Sequence, residues 1–185
     1  MGCFLNPVDG NTFVDLVKNK DIGIFVDKTD FISKTNLRLN STQKLLCLTR
    51  PRRFGKTVTA HMLSAYYSKG YSGQNIFDKL EIANKPSFAE HLNKYNVLYI
   101  DMNSIRDDYI AYTEDEDLQV KGVTSIVDYL QYSVIEELKE IKEYANILSE
   151  SRKVGKKNLS SALNEICNHT KEQFILIMDE WDLIC

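Results

Sequence analysis

An α/β fold with a mostly parallel central sheet is the architecture that the sequence predicts, and three observations support it. Residues 45–49 form an apolar run that leads into a basic turn and then into a helical pattern. Residues 174–178 form a second unbroken apolar run, which ends in Asp179 and Glu180. Between them, residues 123–141 repeat apolar side chains at spacings of three and four, as in an amphipathic helix packed on a sheet. Strands that helices bury on both faces are typical of parallel sheets.

The composition sets outer limits on the protein. With 185 residues, of which 43% are hydrophobic, the chain suits one domain over residues 1–185 with a buried core. The net charge of −3 gives no general attraction to nucleic acid, and no apolar run approaches membrane-spanning length. The four cysteines lack metal-ligand spacing and no secretion signal begins the chain, so we expect a cytoplasmic protein with reduced core thiols. They are Cys3, Cys47, Cys167 and Cys185.

The elements before the first apolar run are short. Residues 12–18 have the pattern of an amphipathic helix, in which Val14, Leu16 and Val17 are the predicted packing residues. Residues 25–32 follow, and they contain Asp27 and Asp30 just ahead of a second helical pattern. Aspartate is a favoured helix cap, so we expect a capping role for both.

The turn after residues 45–49 suits a phosphate group. Gly55 lets the backbone approach a ligand closely, and the amides of the helix that begins here favour an anion, as does the helix dipole. Lys56 is placed to reach the outer phosphates of a triphosphate. The Thr57 hydroxyl can bind a Mg²⁺ ion that bridges phosphate oxygens. The competing interpretation is a basic surface turn before an ordinary helix.

Three arginines and a phenylalanine complete this turn, and we assign all four to the nucleotide site. They are Arg50, Arg52, Arg53 and Phe54. Guanidinium groups form paired hydrogen bonds with phosphate oxygens, which favours this assignment. Arg50 stands where the common loop pattern, G-x-x-x-x-G-K-[ST], has its first glycine.

The middle of the chain supplies further elements. We predict a short helix over residues 88–92, a second buried strand over residues 97–101 and a helix over residues 159–167. Asp101 ends the second strand, at the edge of an open sheet where ligands bind, although a structural cap is the interpretation we favour. The acidic residues 107–117 lack the pattern of a calcium loop, and we interpret them as a mobile, solvated insertion.

The acids after residues 174–178 are the expected partners of the phosphate turn. In nucleotide hydrolases of this class, the first acid holds Mg²⁺ through water and the second polarises the attacking water. Asp179 and Glu180 take these two roles here. The alternative is that both acids merely end a strand at the solvent. Together the two motifs predict a three-layer P-loop NTPase, in which Lys56 and Glu180 are the catalytic residues.

The motifs resemble those of the AAA-ATPase-like family of bacteria and archaea. The resemblance rests on Asp-Lys-Thr at residues 27–29, Arg-Pro-Arg-Arg-Phe-Gly-Lys-Thr at residues 50–57 and Asp-Glu-Trp-Asp at residues 179–182. Family members carry R-P-R-R-F-G-K-[ST], which accounts for Arg50. The resemblance implies ATP binding with slow hydrolysis and a place for residues 27–29 near the nucleotide base. It also implies that Asp182 orients an arginine of the loop.

The resemblance also bears on completeness. Family members are longer, with further strands and often a restriction-endonuclease-like domain, so we expect an N-terminal fragment whose sheet is incomplete. In such proteins a later strand separates the loop strand from the acid strand, and this chain has no candidate for it. Either the chain is a fragment, or the two strands pair directly, or another copy completes the sheet. Exposed sheet edges then predict homo-oligomers, and nucleic acid enters only through a missing C-terminal domain.

The functional prediction is that the chain binds ATP with Mg²⁺ and hydrolyses it through Walker A and Walker B motifs. One alternative is a nucleotide-binding switch or interaction module that does not hydrolyse ATP, which needs Lys56 and Thr57 but can dispense with Glu180. Another is an inactive, truncated ATPase.

Overall fold

The computed structural model describes residues 4–7, 11–19, 25–49, 51, 53–69, 76–120, 122–150 and 158–184. Two compact units divide the chain: Met1 with Asn6–Val97, and Gly2–Leu5 with Leu98–Cys185. Helices and strands occur together, as expected for an α/β protein, and the described residues contain one sheet of two parallel strands. A single domain over residues 1–185 stays a prediction. No helix among the described residues has the length and apolar character needed to cross a membrane.

Short helices form the first unit. They are α1 (Thr12–Lys18), α2 (Asp30–Asn36), α3 (Lys56–Tyr67), a 3-10 helix (Glu81–Asn84) and α4 (Phe88–His91). The helix predicted over residues 12–18 is confirmed, and the Asn11 side chain caps it by accepting from the Val14 amide. Val14 is buried as predicted, but Leu16 is exposed and Phe13 is buried in its place. Phe13 takes this place because its ring stacks on that of Phe77, 5.5 Å away.

A buried polar network joins α2 to α3. The Tyr67 hydroxyl lies 2.6 Å from Thr35 Oγ1 and donates to Asn36 Oδ1 at 2.7 Å. The Asn36 amide donates to the Tyr66 hydroxyl at 3.3 Å. Burial raises the pKa of both tyrosines, so both keep their protons. Because satisfied buried polar groups specify a geometry, this network fixes α3 against α2.

The Asp27-Lys28-Thr29 element is bound to the 3-10 helix. Asp27 Oδ1 accepts from the Thr29 amide at 2.8 Å and from its hydroxyl at 2.7 Å. Asp27 Oδ2 accepts from the Glu81 amide at 2.8 Å, and Thr29 Oγ1 accepts from the Ile82 amide at 3.1 Å. Asp27 and Thr29 therefore satisfy the first amides of a helix some fifty residues downstream. The expected capping of the following helix is wrong for both aspartates, because Thr29 is the N-cap of α2 and no side chain among the described residues caps that helix. Asp27 binds the 3-10 helix instead, and Asp30 pairs with Lys85. An approach of residues 27–29 to a nucleotide base stays a prediction.

The predicted buried strand over residues 45–49 is wrong. The backbone of residues 44–49 has no strand pairing with any described residue, and Leu45 is 90% exposed. Cys47 is exposed as well, which corrects its interpretation as a core thiol. The physical reason is that a strand needs a hydrogen-bonded neighbour, and the only two strands described here pair with each other.

The second unit holds the sheet, four α-helices and, among the described residues, two 3-10 helices, Glu116–Leu118 and Trp181–Ile184. Its elements are β1 (Asn96–Asp101, which begins in the first unit), α5 (Met102–Glu114), α6 (Ile126–Lys139), α7 (Lys142–Glu150), α8 (Leu159–Thr170) and β2 (Phe174–Asp179). The two predicted strands and the helix from residue 159 are confirmed. The prediction of an acidic insertion is wrong for residues 107–114, which belong to α5, whose apolar residues Met102, Ile105 and Tyr112 are buried. Residues 115–117 lie beyond α5 and are exposed, as predicted. The long helix predicted over residues 123–141 is α6 alone and is shorter than predicted, because Ser125 caps it at its start and it ends at Lys139. The next helix, α7, begins beyond the predicted range.

The core of the second unit lies on one side of β1. Leu98 and Ile100 pack there against buried residues of the helices, among them Val134, Leu138 and Ile166. The prediction that β2 is buried on both faces is wrong, since Leu176 is 51% exposed and Met178 is also exposed. Described helices of this unit cover β1 and Phe174 but leave Leu176 and Met178 exposed.

A short N-terminal segment pairs with the other edge of β1. Leu5 forms an antiparallel bridge with Leu98, and the Tyr99 amide donates to the Phe4 carbonyl at 2.9 Å. The Glu137 carboxylate of α6 accepts from the amides of Phe4 and Leu5, at 2.6 Å for the latter. These contacts satisfy backbone groups that an open sheet edge would expose.

One ion pair of the first unit makes its stability depend on pH. Lys85 Nζ lies 2.6 Å from Asp30 Oδ1, and the hydrogen bond from Lys85 lowers the pKa of Asp30 below its ordinary 3.8. The stabilisation is therefore present above pH 3.8 and is lost as the pH falls through the lowered value. Asp30→Asn should be less stable than the wild type at neutral pH, and the difference should shrink in acid. Urea unfolding from neutral pH to about pH 3 measures it.

The matched control for this experiment is Asp78→Asn, because Asp78 is an exposed aspartate of the same unit. Its free energy of unfolding should follow that of the wild type at every pH. An Asp30→Asn deficit that stays constant down to the lowest pH would contradict the assignment.

Candidate functional site

The turn before α3 has an unusual backbone. Gly55 lies in the left-handed region, with φ 77° and ψ 32°, and precedes the first residue of α3. A Cβ at this position would meet no atom of the described residues within 4 Å. Glycine is thus required by the backbone angle and not by crowding. The space beside the turn is open to a ligand.

The first turn of α3 is uncapped. Within the described residues no side chain caps it, and it contains no acidic residue. Lys56, the first residue of this helix of 12 residues, is half-buried, and Thr57 is exposed. Neither residue takes part in an ion pair with another described residue. Free amides, the positive end of the helix dipole and an unpaired ammonium group together favour an anion.

The structure brings five of the seven predicted loop residues into this one turn. Arg53 is exposed and left-handed, with φ 67°, and Phe54 is 59% exposed. Gly55, Lys56 and Thr57 follow them directly. The other two predicted residues, Arg50 and Arg52, lie outside the described residues. The side chains of Arg53 and Phe54 are available to a bound molecule, since neither belongs to the core.

In the second unit, Asp179 ends β2 as a buried acid. Its side chain is 5% exposed, and each of its carboxylate oxygens accepts a hydrogen bond. Oδ1 accepts from the Glu180 amide at 3.1 Å, and Oδ2 accepts from the Tyr99 hydroxyl at 3.4 Å. Glu180 is half-buried and has a left-handed backbone, with φ 52°. Trp181 is exposed, so core packing does not account for it.

Parallel pairing explains why Tyr99 and Asp179 meet. The carboxyl ends of neighbouring parallel strands lie at the same edge of a sheet, and side chains two residues apart share a face. Burial, followed by the charges of Asp179 and Asp101, raises the pKa of the Tyr99 hydroxyl. Asp101 itself caps α5, because it accepts from the Asn103 amide and from the Ser104 hydroxyl, both at 3.0 Å. The capping interpretation of Asp101 is confirmed.

Each unit contains an oxygen donor of the kind that Mg²⁺ accepts, Thr57 in the first unit and Asp179 in the second. Mg²⁺ prefers oxygen ligands and is usually held by one or two carboxylates plus phosphates and water. A carboxylate offers about four lone-pair positions, and Asp179 uses two of them in the described contacts. Thr57 has an exposed hydroxyl. Among the described residues no group of three or more His, Cys, Asp or Glu could hold a metal by itself, so an all-protein metal site is not built there.

Tyr99 is the residue that the sequence analysis missed. A signal exists in the sequence, because a tyrosine in an apolar strand two residues before an acid places its hydroxyl on the same face as that acid. The strand that Tyr99 would face cannot be read from the pattern. Only the pairing of β1 with β2 identifies Asp179 as the neighbour of Tyr99.

The backbone of the turn can be tested by Gly55→Ala. An alanine in the left-handed region costs about 1 to 2 kcal/mol, and here the added Cβ meets no neighbour. The variant should therefore fold and lose about that much free energy of unfolding, as measured by urea titration. The matched control is Ala60→Gly, where glycine replaces alanine within α3 and should cost up to about 1 kcal/mol. A Gly55→Ala variant as stable as the wild type would contradict the left-handed turn.

Comparison with known proteins agrees with these motifs. A search of curated proteins and a search of solved structures gave no match. The sequence model of a family described as "Predicted AAA-ATPase" matches residues 10–185, which is nearly the whole chain. The chain belongs to the AAA-ATPase-like family.

Proposed function

We propose that this protein binds ATP together with Mg²⁺ and hydrolyses it to ADP and phosphate. The uncapped start of α3 behind left-handed Gly55 is the observation that carries the proposal. A triphosphate is the biological anion whose length uses both the helix amides and a flexible lysine. Membership of a family of predicted ATPases supports the same ligand.

Each residue has a role in the proposal. The amides around Gly55 and the Lys56 ammonium group bind the phosphates, while Arg53 and Phe54, with Arg50 and Arg52, contact the nucleotide. Thr57 and Asp179 would hold Mg²⁺, Asp179 through a water molecule. When bound, Mg²⁺ would neutralise negative charge on the phosphate oxygens. Glu180 accepts a hydrogen bond from the attacking water and orients it in line with the bond that breaks.

The finer architecture is also a proposal. We infer a three-layer P-loop fold. In this fold a further strand, from this protein or from a second copy, pairs with the edge of β2 that no described strand occupies. The exposed side chains of Leu176 and Met178 support this inference, because an added layer would bury them. A cytoplasmic location follows if ATP is the ligand.

Lys56→Ala tests the phosphate site. A charged hydrogen-bonding group contributes about 1.5 to 3 kcal/mol, so the variant should bind ATP about ten- to a hundredfold more weakly. Titration with a fluorescent ATP analogue measures the affinity. Lys79→Ala is the matched control, because Lys79 is an exposed lysine of the same unit, and it should bind as the wild type does. Equal affinity of the Lys56→Ala variant and the wild type would refute the site.

Glu180→Gln tests hydrolysis separately from binding. Glutamine matches glutamate in size and in the strain of the left-handed backbone, so the change removes only the charge. ATP affinity should be kept, and the rate of phosphate release should fall by about a hundredfold or more. Phosphate release in single-turnover experiments gives the rate. Normal release from Glu180→Gln would rule out this role. A wild type that binds ATP without releasing phosphate would identify a nucleotide switch instead.

A further inference from the structure

The hydroxyl of Tyr99 touches the acid that we assign to magnesium. Its oxygen lies 3.4 Å from Asp179 Oδ2, near the outer limit for a hydrogen bond. Tyr99 itself is firmly placed, since its amide donates to the Phe4 carbonyl and its strand pairs with β2. The contact therefore joins a fixed donor to a buried carboxylate.

Two hydrogen bonds determine how the Asp179 carboxylate is oriented. The Glu180 amide holds Oδ1 at 3.1 Å, and the Tyr99 hydroxyl holds Oδ2. With one of these bonds alone, the carboxylate could still rotate about the bond that joins it to Cβ. With both, its remaining lone pairs point in fixed directions. A buried carboxylate also needs hydrogen-bond donors, and the Tyr99 hydroxyl is one of them.

We propose that Tyr99 is a positioning residue that orients Asp179 for magnesium. The inference rests on the proposed function, in which Asp179 holds Mg²⁺ through water. Such indirect binding depends on the direction of the carboxylate lone pairs, because a displaced oxygen no longer meets the water. Hydrogen bonds that orient the ligands of a metal commonly tune its affinity in this way.

The experiment is Tyr99→Phe, which removes the hydroxyl and keeps the ring. Mg²⁺ is titrated into the full chain in the presence of a fluorescent ATP analogue. The quantity recorded is the Mg²⁺ concentration that gives half of the maximal change in fluorescence. Loss of one hydrogen bond should raise this concentration roughly three- to tenfold. ATP affinity in EDTA should change less than about twofold, because the phosphate turn is untouched. If Tyr99 had a purely structural role, Tyr99→Phe would change the Mg²⁺ requirement and the ATP affinity in EDTA to a similar extent.

Tyr112→Phe is the matched control. Tyr112 is a buried tyrosine of the same unit whose hydroxyl accepts from the Val120 amide at 2.6 Å. This control loses the shorter hydrogen bond, so its thermal midpoint should fall at least as far as that of Tyr99→Phe, but its Mg²⁺ dependence should stay that of the wild type. Equal shifts of the Mg²⁺ dependence in both variants would indicate general loosening and overturn the proposal.

Asp179→Asn separates the two levels of inference. One outcome is that Asp179→Asn raises the Mg²⁺ concentration at the half-point of the titration while Tyr99→Phe leaves it unchanged. In that case Tyr99 has only a packing role, and the positioning role is wrong while the proposed function stands. If neither variant changes this concentration, Asp179 does not serve magnesium, and both proposals fail. Both proposals are supported if Tyr99→Phe raises this Mg²⁺ concentration by less than Asp179→Asn does, and if Tyr112→Phe leaves it at the wild-type value.

Discussion

The parallel pairing of β1 with β2 is the constraint on which the chemistry of the second unit depends. Parallel strands enter a sheet in the same direction, so both run toward one edge and their last residues meet there. This pairing brings the Tyr99 hydroxyl to Asp179 and places Asp101 close enough to affect the same hydroxyl. The core behind β1 fixes the strand through Leu98 and Ile100, whose side chains face away from Tyr99. Packing on one face thereby orders polar groups on the other.

In the first unit, hydrogen bonds between helices hold the turn before α3. The turn contributes little to the core, since Arg53, Phe54 and Thr57 are all exposed. Its geometry instead comes from α3, which the hydroxyls of Tyr66 and Tyr67 join to Asn36 of α2. The start of α2 is in turn held by Asp27 and Thr29, which bind the amides of the 3-10 helix. An open turn at the end of an anchored helix can admit a ligand without loss of the fold.

Sequence reasoning succeeded where the deciding interactions are local. The spacing of residues 12–18 predicts α1 correctly, and the helix predicted from Thr57 begins one residue earlier, at Lys56, because caps and periodicity act within one turn. It failed for residues 45–49, because an apolar run becomes a strand only when a distant segment pairs with it. It failed also for α5, where the acids at residues 107 and 108 conceal the helical spacing of Met102, Ile105 and Tyr112. The motif residues were predictable, but the partners of Asp27 and Asp179 were not.

Backbone strain separates the two motifs from the rest of the described chain. Six residues other than glycine have positive φ there, and four have local reasons. Asn6, Asn40 and Asn93 carry the side chain that best tolerates this region, and Lys171 ends α8, where a left-handed residue is common. The remaining two are Arg53 and Glu180, one in each motif. Each conformation costs of order 1 to 2 kcal/mol, and neither helix capping nor an asparagine explains it. Strain that persists at two such places agrees with a function for both turns, because stability alone would favour glycine or asparagine at either position.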